Sequence, residues 1–370
     1  MINLTINGQK VSVEPGTTVL AAAKKLNINI PTLCNHPDLC VAGNCRVCVV
    51  EQEGARTLIA SCATPVSEGM KIQTNSLKVR NARKHIVELL LSEHRSDCTK
   101  CYKNQKCELQ ALANEFAFGE SIFLDLVEDH PYTIDRSSPS FIKDDSKCIR
   151  CQRCVRTCSE LQYISAVAVA NKGKHQKISS FHDKPMSHVV CTNCGQCVNR
   201  CPTGALVEKT YIDYVWDAIY DPEKHVVVQT APAVRVALGE DLGYDPGERV
   251  TGKLVTALRQ LGFDSVLDTD FTADLTIMEE GTELLTRLKK ILVEGDKKTK
   301  LPMFTSCSPG WIKFIEHKYP EFLPNLSTCK SPQQMFGALA KTYYAQKRKL
   351  DPAKVVSVSI MPCTAKKYEA

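Results

Sequence analysis

The apolar positions of this chain change rhythm as it proceeds. Ile2-Asn3-Leu4-Thr5-Ile6 alternates apolar and polar, Asn7-Gly8 is a tight-turn dipeptide, and Val11-Ser12-Val13 resumes the alternation. That pattern predicts a β-hairpin. Thr18 then stands where it can cap a short helix through residues 21–26. From about residue 79 the spacing becomes helical, with Ile86, Leu89, Leu90 and, a turn later, His94 on one face. Residues 120–145, with Pro131, Ser137-Ser138-Pro139 and Asp144-Asp145, read as a connecting loop, and 172–184 as a polar insertion.

The second half has the rhythm of an α/β domain. Residues 211–220 predict a linking helix, and His225-Val226-Val227-Val228-Gln229 a short buried strand left through the turn Ala231-Pro232-Ala233. An amphipathic helix is expected over 250–261, stopped by Gly262. Ser265-Val266-Leu267 reads as strand, 278–292 as helix and 354–361 as strand again. No G-x-G-x-x-G follows a strand and no Walker-type loop occurs, so no nucleotide site is expected; NADH chemistry would belong to another chain.

Composition narrows the class. A chain of 370 residues with 43% apolar content can build several packed domains. The first residues carry no basic, apolar or twin-arginine leader pattern, and no run approaches eighteen apolar residues, so no transmembrane segment is expected. Nineteen cysteines in so long a chain without a leader fit a reducing cytoplasm better than a disulfide scaffold. The net charge of +6 is mild, and its short basic runs read as solvated loops and helix ends or as a docking face for an acidic electron carrier. With 6% aromatics and no interleaved basic stripe, no nucleic-acid partner is expected.

The cysteines carry the chemistry. Sixteen lie within residues 34–201. Cys148-x2-Cys151-x2-Cys154-x3-Cys158 recurs as Cys191-x2-Cys194-x2-Cys197-x3-Cys201-Pro202, the ligand pattern of a two-[4Fe–4S] ferredoxin. Each run gives three thiolates to one cluster and its fourth to the other. One set is therefore Cys148, Cys151, Cys154 and Cys201, and the other Cys158, Cys191, Cys194 and Cys197. Upstream, His94-x3-Cys98-x2-Cys101-x5-Cys107 offers a Cys3His set for a third [4Fe–4S] cluster; if 94–98 is helical, His94 and Cys98 share one side. Zinc is the competing occupant of a Cys3His site. Nearer the N-terminus, Cys40-x4-Cys45-x2-Cys48 has plant-type spacing but no fourth cysteine well downstream. Cys34, Cys45, Cys48 and Cys62 form a complete set for one [2Fe–2S] cluster, leaving Cys40 as a small residue nearby. Taken alone, Cys329 reads as an inert core cysteine, and Cys307 and Cys363 as buried structural ones.

In this order the segments resemble the [FeFe], or iron-only, hydrogenases with full accessory-cluster sets. The first three also resemble the large peripheral iron–sulfur subunit of complex I. Pro302-Met303-Phe304-Thr305-Ser306-Cys307-Ser308-Pro309-Gly310-Trp311 looks like the first active-site signature of the hydrogenases, and Met361-Pro362-Cys363-Thr364-Ala365-Lys366-Lys367-Tyr368-Glu369 like the second. The resemblance implies an α+β and α/β multidomain chain. It would hold a β-grasp [2Fe–2S] ferredoxin at 1–78, a His-ligated [4Fe–4S] segment at 79–120, a two-cluster module at 138–209, and the first part of an α/β hydrogenase active-site domain at 223–370. It further implies reversible conversion of two protons and two electrons to H2 at a cubane linked to a two-iron centre (the H-cluster). Ferredoxin or an NADH-linked flavoprotein subunit would exchange the electrons. In this resemblance Cys363 is a cubane ligand, Lys366 hydrogen-bonds the two-iron centre, and Cys307 hands it protons. Glu280, Glu283, Ser327 and Glu369 match the outward proton path, and each such group can accept and release a proton.

Two departures qualify it. The family's first signature carries a second cysteine where this chain has Ser308, a harder and poorer ligand for iron–sulfur. Ser308 would coordinate weakly, or Cys307 would shift role, or activity would be lost. The family also takes its last cubane ligands from a third signature further downstream, so the chain is expected to be a truncation, with an H-cluster only if that part is present. The alternatives are a non-catalytic electron-transfer subunit and a complex I-type NADH dehydrogenase subunit.

Overall fold

The computed structural model describes residues 1–116, 122–123, 132–305 and 307–370. The end of the expected Cys3His segment, part of the expected 120–145 loop and Ser306 lie outside the described residues. The chain divides into two compact units, residues 1–189 with 196–207, and residues 190–195 with 208–370.

In the first unit, β1 (Ile2–Ile6) and β2 (Gln9–Val13) form the expected antiparallel hairpin, with Ile2 opposite Val13. Helix α1 (Val19–Lys25) starts at Thr18, whose hydroxyl accepts from the Ala21 N–H at 3.2 Å. With β3 (Val49–Gln52), β4 (Ile59–Ala60) and β5 (Lys71–Gln73) the hairpin makes a sheet of order β2-β1-β5-β3-β4, with β1 and β5 parallel. Leu4, Ile6, Val13, Val19, Val50 and Ile72 fill its core, which Cys48 and Cys62 join.

Helix α2 (Leu77–Ser92), capped by Ser76, packs with α3 (Glu108–Phe116) through Val87, Leu109 and Leu112. Leu89 is exposed and Val87 takes its place on the buried face. The helix ends at Ser92, so His94 and Cys98 are not one turn apart on a helix; the chain between them is irregular. The expected loop before residue 145 contains two short strands, β6 (Ile134–Asp135) and β7 (Phe141–Asp144), paired antiparallel across the Ser137-Ser138-Pro139 turn. Next come α4 (Arg153–Arg156), which runs into a wider turn over 157–161, and β8 (Val167–Ala170). The polar insertion is partly folded, its β9 (Lys177–Ser180) pairing antiparallel with β8. Helix α5 (Gln196–Asn199) and β10 (Leu206–Glu208) follow, the latter joining β7 and β6 in one sheet.

The second unit is built on three parallel strands, β11 (His225–Thr230), β12 (Ser265–Asp268) and β13 (Val355–Ile360), in the order β12-β11-β13. Helices α6 (Ile212–Tyr220), α7 (Val234–Asp241), α8 (Thr251–Gln260), α9 (Asp270–Leu292), α10 (Pro309–Lys318), α11 (Pro332–Leu339), α12 (Ala345–Arg348) and α13 (Lys366–Glu369) flank or follow them. Strand β11 is buried on both faces: Val226 and Val228 meet Leu254, Leu258 and Phe263, while Val227 meets Phe336, Ala340 and Ala345. That two-sided burial explains an unbroken apolar run where a half-exposed strand would alternate. Helix α7 was not anticipated, and α9 begins at Asp270 rather than near 278. Among the described residues no helix is long and apolar enough to cross a membrane.

Candidate functional site

Four cysteines close on one another in the first unit. Cys34, Cys45 and Cys48 come from the loop before β3, and Cys62 from the turn after β4. The Cys48 and Cys62 sulfurs are 3.3 Å apart. The N–H groups of Cys34 and Cys45 point at each other's sulfur, at 3.4 and 3.5 Å. After that of Cys45, the Cys62 side chain also lies close enough to lower the Cys34 thiol's pKa. Backbone N–H groups aimed at sulfur are how iron–sulfur thiolates are stabilised. Cys40 stands apart: its thiol meets the Glu160 carboxylate at 2.6 Å, and that hydrogen bond pushes the thiol's pKa up.

His94, Cys98, Cys101 and Cys107 line one small pocket together with Asp97, Gln110 and Gly204. The pocket therefore collects these residues without the helix that sequence spacing suggested. Cys107 immediately precedes α3; burial pushes its pKa up, and the N–H groups of that helix's first turn pull it part of the way back. His94 Nδ1 is buried without a hydrogen-bond partner. Burial lowers the ring's pKa, favouring the neutral form that binds metal. Gly204 is required here, since a Cβ at that position would lie 2.5 Å from the Cys101 sulfur.

Cys148, Cys151, Cys154 and Cys201 crowd together in the same unit. Burial first, then the neighbouring thiols, pushes Cys148 up to about 11 and Cys151 up to about 12, and Cys154 is raised well above the ordinary thiol value. Thiols that oppose each other's ionisation become thiolates together only beside a shared cation. Of the remaining set, Cys158 and Cys197 belong to the first unit and Cys191 and Cys194 to the second. Among the described residues no three of His, Cys, Asp and Glu converge on a single-ion site. Cluster ligands are spread over several irons and need not do so.

In the second unit the two signature segments meet. Lys366 Nζ donates to the Cys307 carbonyl at 2.7 Å and pairs with the Glu369 carboxylate at 2.7 Å. Gln333, buried on α11, holds the Lys366 carbonyl at 3.1 Å. The Thr364 hydroxyl donates to the Asn193 carbonyl at 2.9 Å, between Cys191 and Cys194. Gly195 adopts a left-handed φ of +70°, and a side chain there would collide with Thr364. Ser308 precedes α10 without capping it, and the thiols of Cys307 and Cys363 belong to exposed residues rather than buried ones.

A carboxylate network lies on α9. Glu283 accepts from Ser327 Oγ at 2.8 Å, from the Thr328 N–H at 3.1 Å and from Arg287 at 2.6 Å. Burial pushes the Glu283 carboxyl up, but the bonds from Ser327 and Arg287 outweigh it and hold it below the usual carboxylate range. Cys329 is not inert core: it is half-exposed, with its sulfur 3.7 Å from Glu283. Partial burial raises its pKa, and the charges of Glu283 and Glu280 add to the rise. Ser327, Cys329 and Glu369 share the wall of a cavity of about 400 Å³, completed by Lys313, Gln334 and Tyr368. Sequence reasoning missed Arg287 and Gln333. Arg287 sits one turn after Glu283, the i,i+4 spacing that pairs charges on a helix, which could have marked it.

Comparison with known proteins follows this geometry segment by segment. Residues 1–76 match a 2Fe-2S iron-sulfur cluster binding domain, 83–121 the NADH-ubiquinone oxidoreductase-G iron-sulfur binding region, and 138–207 the ferredoxin-like domain of NADH-quinone oxidoreductase subunit 3. Residues 224–370 match the iron only hydrogenase large subunit, C-terminal domain. These matches define an iron–sulfur protein in which ferredoxin-like domains precede a hydrogenase active-site region. Along its whole length the chain is similar to iron-only hydrogenases, and residues 224–370 carry the match to their C-terminal domain. It is 54% identical to the NADP-reducing hydrogenase subunit HndD of Solidesulfovibrio fructosivorans and 41% identical to iron hydrogenase 1 of Clostridium pasteurianum. In both cases the match takes in 100% of this chain and 63% of the relative's length. A chain in the crystal structure of an NAD+-reducing [NiFe]-hydrogenase in the H2-reduced state matches 57% of this chain and 88% of its own, at 31% identity and a TM-score of 0.52.

Proposed function

We propose that this chain is the electron-relay and first active-site portion of an [FeFe] hydrogenase. Its four segments would be a β-grasp domain at 1–78, a Cys3His segment at 79–120, a two-cluster module at 138–209 and the start of the active-site domain from 223. Cys34, Cys45, Cys48 and Cys62 would hold one [2Fe–2S] cluster, and His94, Cys98, Cys101 and Cys107 a [4Fe–4S] cluster. Cys148, Cys151, Cys154 and Cys201 would hold a second [4Fe–4S] cluster, and Cys158, Cys191, Cys194 and Cys197 a third. The observation that carries the reading is the Thr364–Asn193 hydrogen bond of 2.9 Å. It ties the second signature to the loop bearing Cys191 and Cys194, so the last relay centre would adjoin the site its electrons serve.

An H-cluster, when bound, supplies the combination of two protons with two electrons. Of residues 302–370, the two positions that the resemblance gives to the cubane are Cys363, a thiol, and Ser308, a hydroxyl, which is not a complete cubane donor set. What the chain's own residues supply is a proton path. Glu283 Oε2, ionised at neutral pH, can take the proton that Ser327 Oγ shares with it, and Arg287 fixes the carboxylate. Lys366 anchors the Cys307 loop through that residue's carbonyl while Glu369 compensates its charge. The electron partner we favour is a nicotinamide-linked flavoprotein subunit over free ferredoxin, because the relative at 54% identity is a subunit of an NADP-reducing hydrogenase.

Hydrogen evolution from reduced viologen by the full-length protein, with its iron counted, tests the reading. About fourteen irons outside the H-cluster with measurable H2 support it. A full iron complement without H2 would leave the non-catalytic electron relay, which Ser308 favours. Iron near two per chain would end both.

A further inference from the structure

Three arginines are buried beside cysteine ligand positions in the first unit, and their charges are treated differently. Arg83 on α2 is 3% exposed and donates to the Val49 carbonyl at 2.9 Å, one residue past Cys48. Arg156, at the end of α4, is 7% exposed; it donates to the Cys34 carbonyl at 2.6 Å and also to the Cys40 carbonyl. Arg153 is 4% exposed and grips both oxygens of Glu108, at 2.6 and 2.8 Å. The positive charge of Arg153 is thus neutralised where it lies. Those of Arg83 and Arg156 end on neutral carbonyls, and the Nε of each is buried without a partner. Glu115 and Glu160 are within electrostatic reach of Arg83 and Arg156 respectively, but among the described residues neither is ion-paired with its arginine. A guanidinium buried without an anion is costly, and both of these lie against the loops of one cysteine set.

We propose that Arg83 and Arg156 are the counter-charges of the two-iron centre at Cys34, Cys45, Cys48 and Cys62 and set its reduction potential. The proposal rests on the ligand reading given above. A [2Fe–2S] core with four thiolates is doubly negative when oxidised and triply negative after taking up one electron; no bond or proton need change. Two fixed cations in a low-dielectric surrounding favour the extra negative charge and raise the potential. Arg156 has a second consequence. It lies between Cys154 and Cys158 in sequence, so it also ties the two-iron loop to the segment that carries ligands of the cubane module.

Redox titration of the two-iron EPR signal in anaerobically purified full-length protein tests this. Arg83→Gln and Arg156→Gln should each lower the equilibrium constant for reduction roughly three- to tenfold, about 28–59 mV for a one-electron couple. Arg153→Gln should move it less than either. Arg156→Lys and Arg83→Lys should keep most of the native potential, because lysine retains the charge but not the guanidinium fork. An unchanged potential in both Gln variants, or a Lys variant that falls as far as its Gln counterpart, overturns the proposal. If a Gln variant does not hold its two irons, the Lys variant at that position decides: native potential supports charge as the cause, and a lowered one sinks it. A two-iron signal that survives Cys34→Ala would instead overturn the ligand reading, and this proposal with it.

Discussion

The two units hold together by different means. In the second, β11 is buried on both faces by valines meeting helices, and the sheet would cohere with no iron present. In the first, the hairpin sheet has its own core, but the segment from His94 to Cys107 and the turns from Asp145 to Gln152 have little regular structure. What organises those segments is the convergence of thiols, buried arginines and short turns around pockets. Apolar burial therefore maintains the fold of one region, and on the proposed ligand reading cluster binding would maintain much of the other. Iron should be a structural component in the first and a functional one in the second.

Chelating the iron anaerobically breaks the comparison most severely. Amide exchange in residues 93–107 and 145–165 should rise toward that of an unfolded chain, because cluster binding energy there is folding energy. Protection in β11 should hardly change. Equal loss in both regions would show that the α/β unit also depends on iron. The reciprocal break is Phe336→Ala, which removes a side chain packed against Val227 and Val355. It should cost about 3–5 kcal/mol in denaturant unfolding of the second unit. Iron content should stay at that of the unaltered protein, and a loss of iron would refute independent cohesion.

Chemistry sharpens the contrast next. Glu283→Gln keeps the shape of the side chain but removes the charge that Ser327 and Arg287 address. In the full-length protein hydrogen evolution should fall at least about a hundredfold while iron content and cluster EPR spectra stay put. Loss of cluster signals together with activity would mean that Glu283 acts through the fold and not through the proton path.

The two regions also differed in how much their sequence revealed. Cysteine spacing proposed ligand sets because a cluster demands particular residues at short separations, whatever backbone joins them. The same logic misjudged the backbone itself: the irregular chain from Glu93 to Asp97 brings His94 and Cys98 to one pocket without a helix. In the α/β unit the strands were legible because β11 is an unbroken run of buried valines. Helix α7 was not, since Val234–Asp241 carries weak periodicity and follows a proline turn. Arg83, Arg156 and the Glu283 contact of Cys329 gave no signal at all. Their partners lie far away in sequence, as with Arg156 and the Cys34 carbonyl, and only the folded chain brings them together.

The smallest expected effect is the most discriminating. Cys34 and Cys40 were both candidates for the two-iron set by spacing, and the fold separates them: Cys34 is buried among Cys45 and Cys62, while Cys40 is exposed and bonded to Glu160. Cys34→Ala should remove about two irons and the two-iron EPR signal. Cys40→Ala should leave both, and cost no more than about 1 kcal/mol through the lost hydrogen bond. The Glu160 carboxyl, held below its usual range by the Cys40 thiol and N–H, should then titrate nearer its ordinary value. If Cys40→Ala instead emptied the two-iron site while Cys34→Ala spared it, plant-type spacing would be right and the cluster of Cys34, Cys45, Cys48 and Cys62 would need another purpose.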